Sequence, residues 1–369
     1  MKAPIPFPKP IYITRPTLPD LNEMQHKLRE IWDLGIVTNM GPQHDAFENK
    51  LKQFLKVKNI SLFCNGTLAL QLGCQTLRLS GEVITSPFTF PATIHVLYWN
   101  RIQPVFCDIN PQTFNMDPDC IEALITPDTT AIMPVHVFGY PCDTDRIQKI
   151  ADRHGLRVIY DAAHAFGVEK NGVPIGNYGD VSMFSFHATK LFHTVEGGAV
   201  ICRNPEWMNR IELMRNFGFN GIDQFDGVGI NGKNSELHAA MGLLNLKYME
   251  DILEKVKALT DSYMELLKDC PVSWIREQPD SSWNRAYMPV IFKDETVMGD
   301  VRKALESQGI GTRRYFYPNL ATLNYVDSNQ SELPVTEDIV KRVLCLPLYF
   351  DLTEETQLKI ATIIKSMIK

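Results

Sequence analysis

The chain has 369 residues, a hydrophobic fraction of 44% and a formal net charge of −6. Such a length suits one large α/β subunit with a second lobe better than a single small domain. The acidic balance, with no run of Lys or Arg, argues against a general polyanion binder, so nucleic acid is not an expected partner.

The opening MKAPIPFPKPIYITRP lacks the apolar region of a signal peptide, and its prolines break a helix. No stretch approaches the roughly 18 apolar residues of a membrane span, so no membrane association is expected. The eight cysteines are scattered, Cys64 and Cys74 being the closest pair, and no C-x-x-C motif occurs. Free thiols without a signal predict a cytoplasmic protein, in which the sequons at Asn59, Asn65 and Asn329 are chance matches.

ISLFC (60–64) predicts a short buried strand, and GTLALQLGCQTL (66–77) a helix behind it. Further strands are predicted at 82–86, 103–108, 131–137, 157–163, 180–186 and 198–202, with a helix over 143–155. Strands separated by helices predict a mostly parallel sheet covered on both faces. From 235 to 270 the helical period runs on without a break, predicting a long connecting helix. A strand over 286–293, a helix over 297–309 and a carboxy-terminal helix complete a smaller α+β lobe. The division is 1–240 for the large domain and 241–369 for the long helix and small domain.

Chemistry in an open α/β sheet gathers at the carboxyl ends of strands. Asp161 closes the apolar run RVIY, Gly66 and Thr67 follow ISLFC, and Ser185, His187 and Lys190 follow VSMF. Each has a plain reading beside a functional one. Asp161 suits a solvated turn or a helix cap as well as a cofactor contact. Gly66-Thr67 suits an ordinary helix start as well as a phosphate site. Lys190, between apolar neighbours and ahead of Gly197-Gly198, either snorkels or is a desolvated amine of lowered pKa. GVGING (227–232) matches a dinucleotide fingerprint literally but follows no convincing strand. His136 reads as a packed strand-end histidine. No His and carboxylate cluster has metal-ligand spacing, so no metal is expected, and no G-x-S-x-G elbow occurs.

The segments TNMGP (38–42), NGTLAL (65–70), SPFTFPAT (86–93), PVHVFG (134–139), YDAAHAFG (160–167), SFHATK (185–190), EGGA (196–199), RNFG (215–218), GINGKNSELHAAMGL (229–243), TRRYFYP (312–318) and LPLY (346–349) span nearly the whole chain. In this order they resemble the DegT/DnrJ/EryC1/StrS sugar aminotransferases, pyridoxal-phosphate-dependent enzymes of fold type I, the aspartate-aminotransferase-like fold. The resemblance implies that Lys190 forms the Schiff base with pyridoxal 5′-phosphate and then acts as general acid–base. It implies that Asp161 pairs with the pyridinium nitrogen, which keeps the ring an electron sink. Ser185 and the Gly66 and Thr67 amides would hold the phosphate, and Phe90 would stack on the ring. His164 stands where many relatives carry Gln, and would lie by the ring face or phenolic oxygen. Asn231 would reach the cofactor phosphate of the neighbouring subunit, making the protein a homodimer.

A related branch that dehydrates sugars carries His at the Lys190 position, so Lys190 implies transamination. FHATK with EGG and GINGK is most similar to the branch that aminates dTDP-4-keto-6-deoxyglucose to dTDP-4-amino-4,6-dideoxyglucose for O-antigen, with glutamate as the expected donor and ping-pong kinetics. Three alternatives are a 3-keto-sugar aminotransferase, a non-catalytic binding or regulatory protein on the same fold, and a plain nucleotide binder resting on GVGING.

Overall fold

In the computed structural model, residues 9–277, 279–327 and 332–368 are described. Asn329 and the first eight residues of the amino-terminal reading lie outside them. Seven strands, each of four or five residues and nearly all buried, form the central sheet: β1 (Ile60–Phe63), β2 (Glu82–Thr85), β3 (Gln103–Phe106), β4 (Thr129–Met133), β5 (Arg157–Asp161), β8 (Val181–Ser185) and β9 (Gly198–Cys202). A small hairpin, β6 (Glu169–Lys170) with β7 (Val173–Pro174), falls between β5 and β8. The order is β1-β9-β8-β5-β4-β2-β3. The β3-β2-β4-β5-β8 ladder is parallel, and β9 is antiparallel to both its neighbours. Continuous apolar runs make strands buried on both faces, and this sheet carries helices such as Gly66–Thr76 and Thr144–His154. The latter starts at Asp143, whose side chain accepts from the Arg146 N–H, and ends at Gly155 in the left-handed region.

The mostly parallel α/β architecture is as the sequence predicts. Its strands stop earlier than their apolar runs: β4 ends at Met133 rather than 137, and β5 at Asp161 rather than 163. The residues beyond leave the ladder to build the loops at the carboxyl edge.

The uninterrupted helix predicted over 235–270 is two helices, Glu236–Leu246 and Met249–Leu267. No Gly or Pro marks the break at Lys247 and Tyr248. Tertiary contacts make it: Lys247 Nζ and Tyr248 Oη both reach the Glu23 carboxylate, at 2.8 and 3.3 Å, and Asn245 Nδ2 donates to the His193 carbonyl at 2.9 Å. Glu23 belongs to the helix Leu21–Leu34, which the sequence reading did not separate. Glu236, buried, accepts from the Gly41, Gln43 and His44 N–H groups at 3.2, 2.8 and 2.9 Å. It thereby caps the helix Pro42–Phe54, which has no side-chain cap of its own. TNMGP and SELHAAM, distant in sequence, are thus bonded to each other.

The second helix leads into the smaller lobe. There β10 (Met288–Ile291) pairs antiparallel with β11 (Val343–Leu346). The helices Glu295–Ser307 and Glu354–Met367 pack on them around Tyr263, Val290, Leu305 and Ile360. Ile11 joins this lobe, its N–H donating to the Gly309 carbonyl at 2.8 Å and its carbonyl accepting from Gly311 at 2.7 Å. Among the described residues, no helix is long and apolar enough to cross a membrane.

Candidate active site

The carboxyl ends of β1, β5 and β8 open onto one cavity of about 310 Å³, closed from the other side by Tyr287, Arg313, Tyr315 and Phe316 of the second lobe. Gly66, Thr67, Asp161, His164, Ser185 and Lys190 all line it, as does Phe90. The loops expected to meet at one sheet edge do so, although more than a hundred residues separate the first from the last.

Register explains their meeting. Gly198 at the start of β9 stands opposite both Phe63 of β1 and Ser185 of β8. A Cβ on Gly198 would lie 2.7 Å from the Gly66 nitrogen, so the glycine lets β9 run beneath the Asn65–Gly66 turn. Gly66 is similarly confined, a Cβ there falling 2.9 Å from Ser185 Cβ. Asn65 caps the helix by accepting from the Leu68 N–H. By helix geometry the preceding amides of Gly66 and Thr67 lack an intrahelical acceptor, and they lie beside Ser185. This is the arrangement an anion needs.

Asp161 is buried. Its Oδ2 accepts from Thr93 Oγ1 at 2.8 Å and its Oδ1 from the Ala163 N–H at 3.0 Å. Burial pushes its carboxyl above the usual range, against those two hydrogen bonds and the nearby Lys190 charge. Lys190 Nζ donates to Tyr287 Oη at 3.3 Å. Desolvation pulls its amine below the ordinary lysine value, while Asp161 and Tyr315 oppose the shift. His164 is buried and stacks on Phe316, with centroids 5.6 Å apart and planes 7° apart. Burial first, and Lys190 next, hold its ring well below the usual histidine range. Its Nδ1 is buried without a partner among the described residues. The Phe90 ring, by contrast, is 50% exposed.

These residues fit pyridoxal phosphate. They supply an amine of lowered basicity, a buried carboxylate, an amide and hydroxyl cradle, an apolar ring open to the cavity and an orphaned ring nitrogen. Asn231 is not among them. It is exposed on the surface of its own chain, in a bridge with Asn216. GVGING lies in irregular backbone with no strand before it, so the dinucleotide context is missing. His136 is a core residue, stacked on Tyr160 at 4.7 Å, with burial pulling its ring down to about 3. Among the described residues no group of His, Cys, Asp or Glu is placed to hold a metal.

Among the lining or supporting residues given no role by the sequence reading are Thr93, Tyr287, Arg313 and Tyr315, of which all but Tyr287 lie within the segments SPFTFPAT and TRRYFYP. Thr93 sits in the first turn of the helix Ala92–Trp99, just past the hydroxyl-rich loop after β2, a legible signal. Tyr287 enters only because the second lobe folds over the cavity, and no local pattern marks it.

A strand-edge lysine facing a buried aspartate and an anion cradle, on a mostly parallel seven-stranded sheet, defines a pyridoxal-phosphate-dependent enzyme of fold type I. Comparison with known proteins gives the same class. The profile of the DegT/DnrJ/EryC1/StrS aminotransferase family matches residues 20–365, and the chain belongs to that family. It is 42% identical to a dTDP-4-amino-4,6-dideoxy-D-glucose transaminase of Shigella dysenteriae, over 94% of this chain and 96% of the relative. It is 40% identical to an Escherichia coli protein of the same name, over 96% and 98%. Among solved structures it superposes on DesI, crystallised in the presence of its TDP-sugar product, with a TM-score of 0.93 and 36% identity, covering 98% of this chain and 94% of DesI.

Proposed function

We propose that the protein transfers an amino group from glutamate to C4 of dTDP-4-keto-6-deoxyglucose, forming dTDP-4-amino-4,6-dideoxyglucose. The observation that carries this is the convergence of Lys190, Asp161, Ser185 and Gly66 on one cavity. The two transaminases named above and the TDP-sugar product of DesI support the substrate class.

Each residue has a part. When bound, pyridoxal phosphate supplies the electron sink that both half-reactions need. Lys190 is the amine that holds the cofactor covalently. Its lowered basicity would suit the freed amine to take a proton from the substrate carbon and give one back as general acid–base. Asp161, fixed by Thr93 and Ala163, keeps a negative charge where the ring nitrogen must stay protonated. Ser185 and the Gly66 and Thr67 amides hold the phosphate. Phe90 would offer its ring for stacking, and neutral His164 would offer its unpartnered Nδ1 to the cofactor.

The same reading makes the enzyme a homodimer, with Asn231 of one subunit reaching the phosphate in the other. Its support is the segment before Asn231, where Phe217, Phe225, Ile222 and Val228 are all exposed and the last two are 92% exposed. An apolar loop of this kind is suited to burial against a second copy. The eight cysteines are free among the described residues, which supports a cytoplasmic setting. An O-antigen or other lipopolysaccharide precursor is the destination proposed for the amino sugar. The domain division is proposed at residue 240, with the Ile11 segment bonded to the second lobe. Incubation with pyridoxal phosphate, glutamate and a panel of dTDP- and UDP-linked keto sugars tests the reading. Mass and NMR analysis should find the 4-amino-4,6-dideoxy product; amination only at C3, or no product, contradicts it.

A further inference from the structure

We infer that the Tyr287 hydroxyl is the working partner of the Lys190 amine, holding it in the cavity whenever the amine is free and setting its basicity. This rests on the reading of Lys190 given above. Nζ lies 3.3 Å from Tyr287 Oη and 5.9 Å from the ring centroid, so the contact is made with the hydroxyl and not the ring face. Among the described residues no other side chain hydrogen-bonds that amine.

The hydroxyl is held where it stands. Tyr287 is buried just ahead of β10, with His164 edge-on at 4.9 Å and Tyr315 at 5.4 Å. Three residues earlier, Asn284 fastens this segment to the loop after β5. Its Nδ2 donates to the His164 and Phe166 carbonyls at 2.8 and 2.9 Å, and its Oδ1 accepts from the Ala286 N–H at 3.1 Å. The second lobe therefore delivers a phenol to the lysine of the first, and Asn284 fixes the approach.

A buried phenol suits this task. Burial pushes the ionisation of the Tyr287 phenol well above its ordinary pH range, so the hydroxyl stays protonated while Lys190 titrates. It accepts from the ammonium form and donates to the neutral amine. The first bond is charge-assisted and the stronger. Removing the hydroxyl therefore costs the ammonium form more, and the amine becomes less basic. The other titratable groups around the cavity are Asp161, His164, His187, Glu196, Arg313 and Tyr315. Asp161 and Tyr315 still favour the ammonium form after the hydroxyl is gone, so the shift is bounded.

Tyr287→Phe keeps the ring packing and deletes one oxygen. The cofactor-free protein is acetylated competitively with acetic anhydride across pH, and the Lys190 peptide is quantified by mass spectrometry. The midpoint should fall in Tyr287→Phe by up to about one pH unit, the order of the difference between a charge-assisted hydrogen bond and a neutral one. In the loaded enzyme, turnover should fall about tenfold or more with cofactor absorbance retained. An unchanged Lys190 midpoint, or wild-type turnover in Tyr287→Phe, overturns the inference. A shifted midpoint in a protein that aminates no keto sugar would instead uphold the contact and remove the functional reading beneath it.

Discussion

Gly66 and Ser185 approach so closely that a methyl group on Gly66 would lie 2.9 Å from Ser185 Cβ, with Met183 Sδ at 3.1 Å and Ser185 Cα at 3.2 Å. Two of those three contacts belong to a residue at the end of a buried strand, which cannot withdraw. The closeness places the first amides of the helix Gly66–Thr76 beside the Ser185 hydroxyl. Gly66→Ala should therefore separate them, weakening cofactor binding tenfold or more and lowering stability by about 1–3 kcal/mol, as overpacking does. Cofactor titration and denaturant unfolding measure both. Unchanged values in both would show that the cradle tolerates a side chain.

Asp161→Asn keeps the shape of a side chain already held by Thr93 and Ala163 and removes its charge. Cofactor should still bind. Turnover should fall by two decades or more, roughly 3 kcal/mol of barrier, because an amide does not hold the ring nitrogen protonated. Steady-state kinetics on the folded variant decide it, and near-normal turnover would mean that Asp161 is not the acid.

The buried histidines make stability depend on pH. His136 has its folded-state pKa lowered to about 3 by burial, and His164 is shifted the same way. Between the unfolded value, near 6.5, and about 3 the unfolded chain binds a proton that the folded chain refuses. Stability contributed by keeping His136 neutral is full above about 6.5 and is lost as pH falls through that window, at up to about 1.4 kcal/mol per unit. Replacing His136 by Asn should flatten the stability–pH slope between pH 6 and 4 by about that amount, whatever it does to stability at pH 7. An unaltered slope in urea titrations would show that His136 is not held neutral.

The parallel sheet and most residues of the candidate site were legible because both are local signals. Buried strands read as apolar runs; Asp161 and Ser185 close such runs, and Lys190 lies in the loop that follows. What was not legible depends on distant partners. The break at Lys247 and Tyr248 is made by Glu23, more than two hundred residues earlier. β11 was hidden because VLCL is four residues long and directly follows the helix Pro334–Arg342. Tyr287 lay within a predicted strand, yet only the packing of two lobes aims its hydroxyl at Lys190.

Subunit complementation tests the shared site. Asn231→Ala should weaken cofactor retention more than it alters the chemistry, and Lys190→Ala should abolish turnover. Mixed under exchange at limiting cofactor, the two should regain activity that neither parent shows. One site of each mixed dimer then combines an intact Lys190 with Asn231 of the other chain. Verified heterodimers that regain nothing would place both residues in the same subunit's site.

The central claim is that Lys190 carries the cofactor. Borohydride reduction of the protein loaded with pyridoxal phosphate, followed by peptide mapping, should place the phosphopyridoxyl label on Lys190 and leave Lys190→Ala unlabelled there. Label on a different lysine, or none at all, would contradict the account.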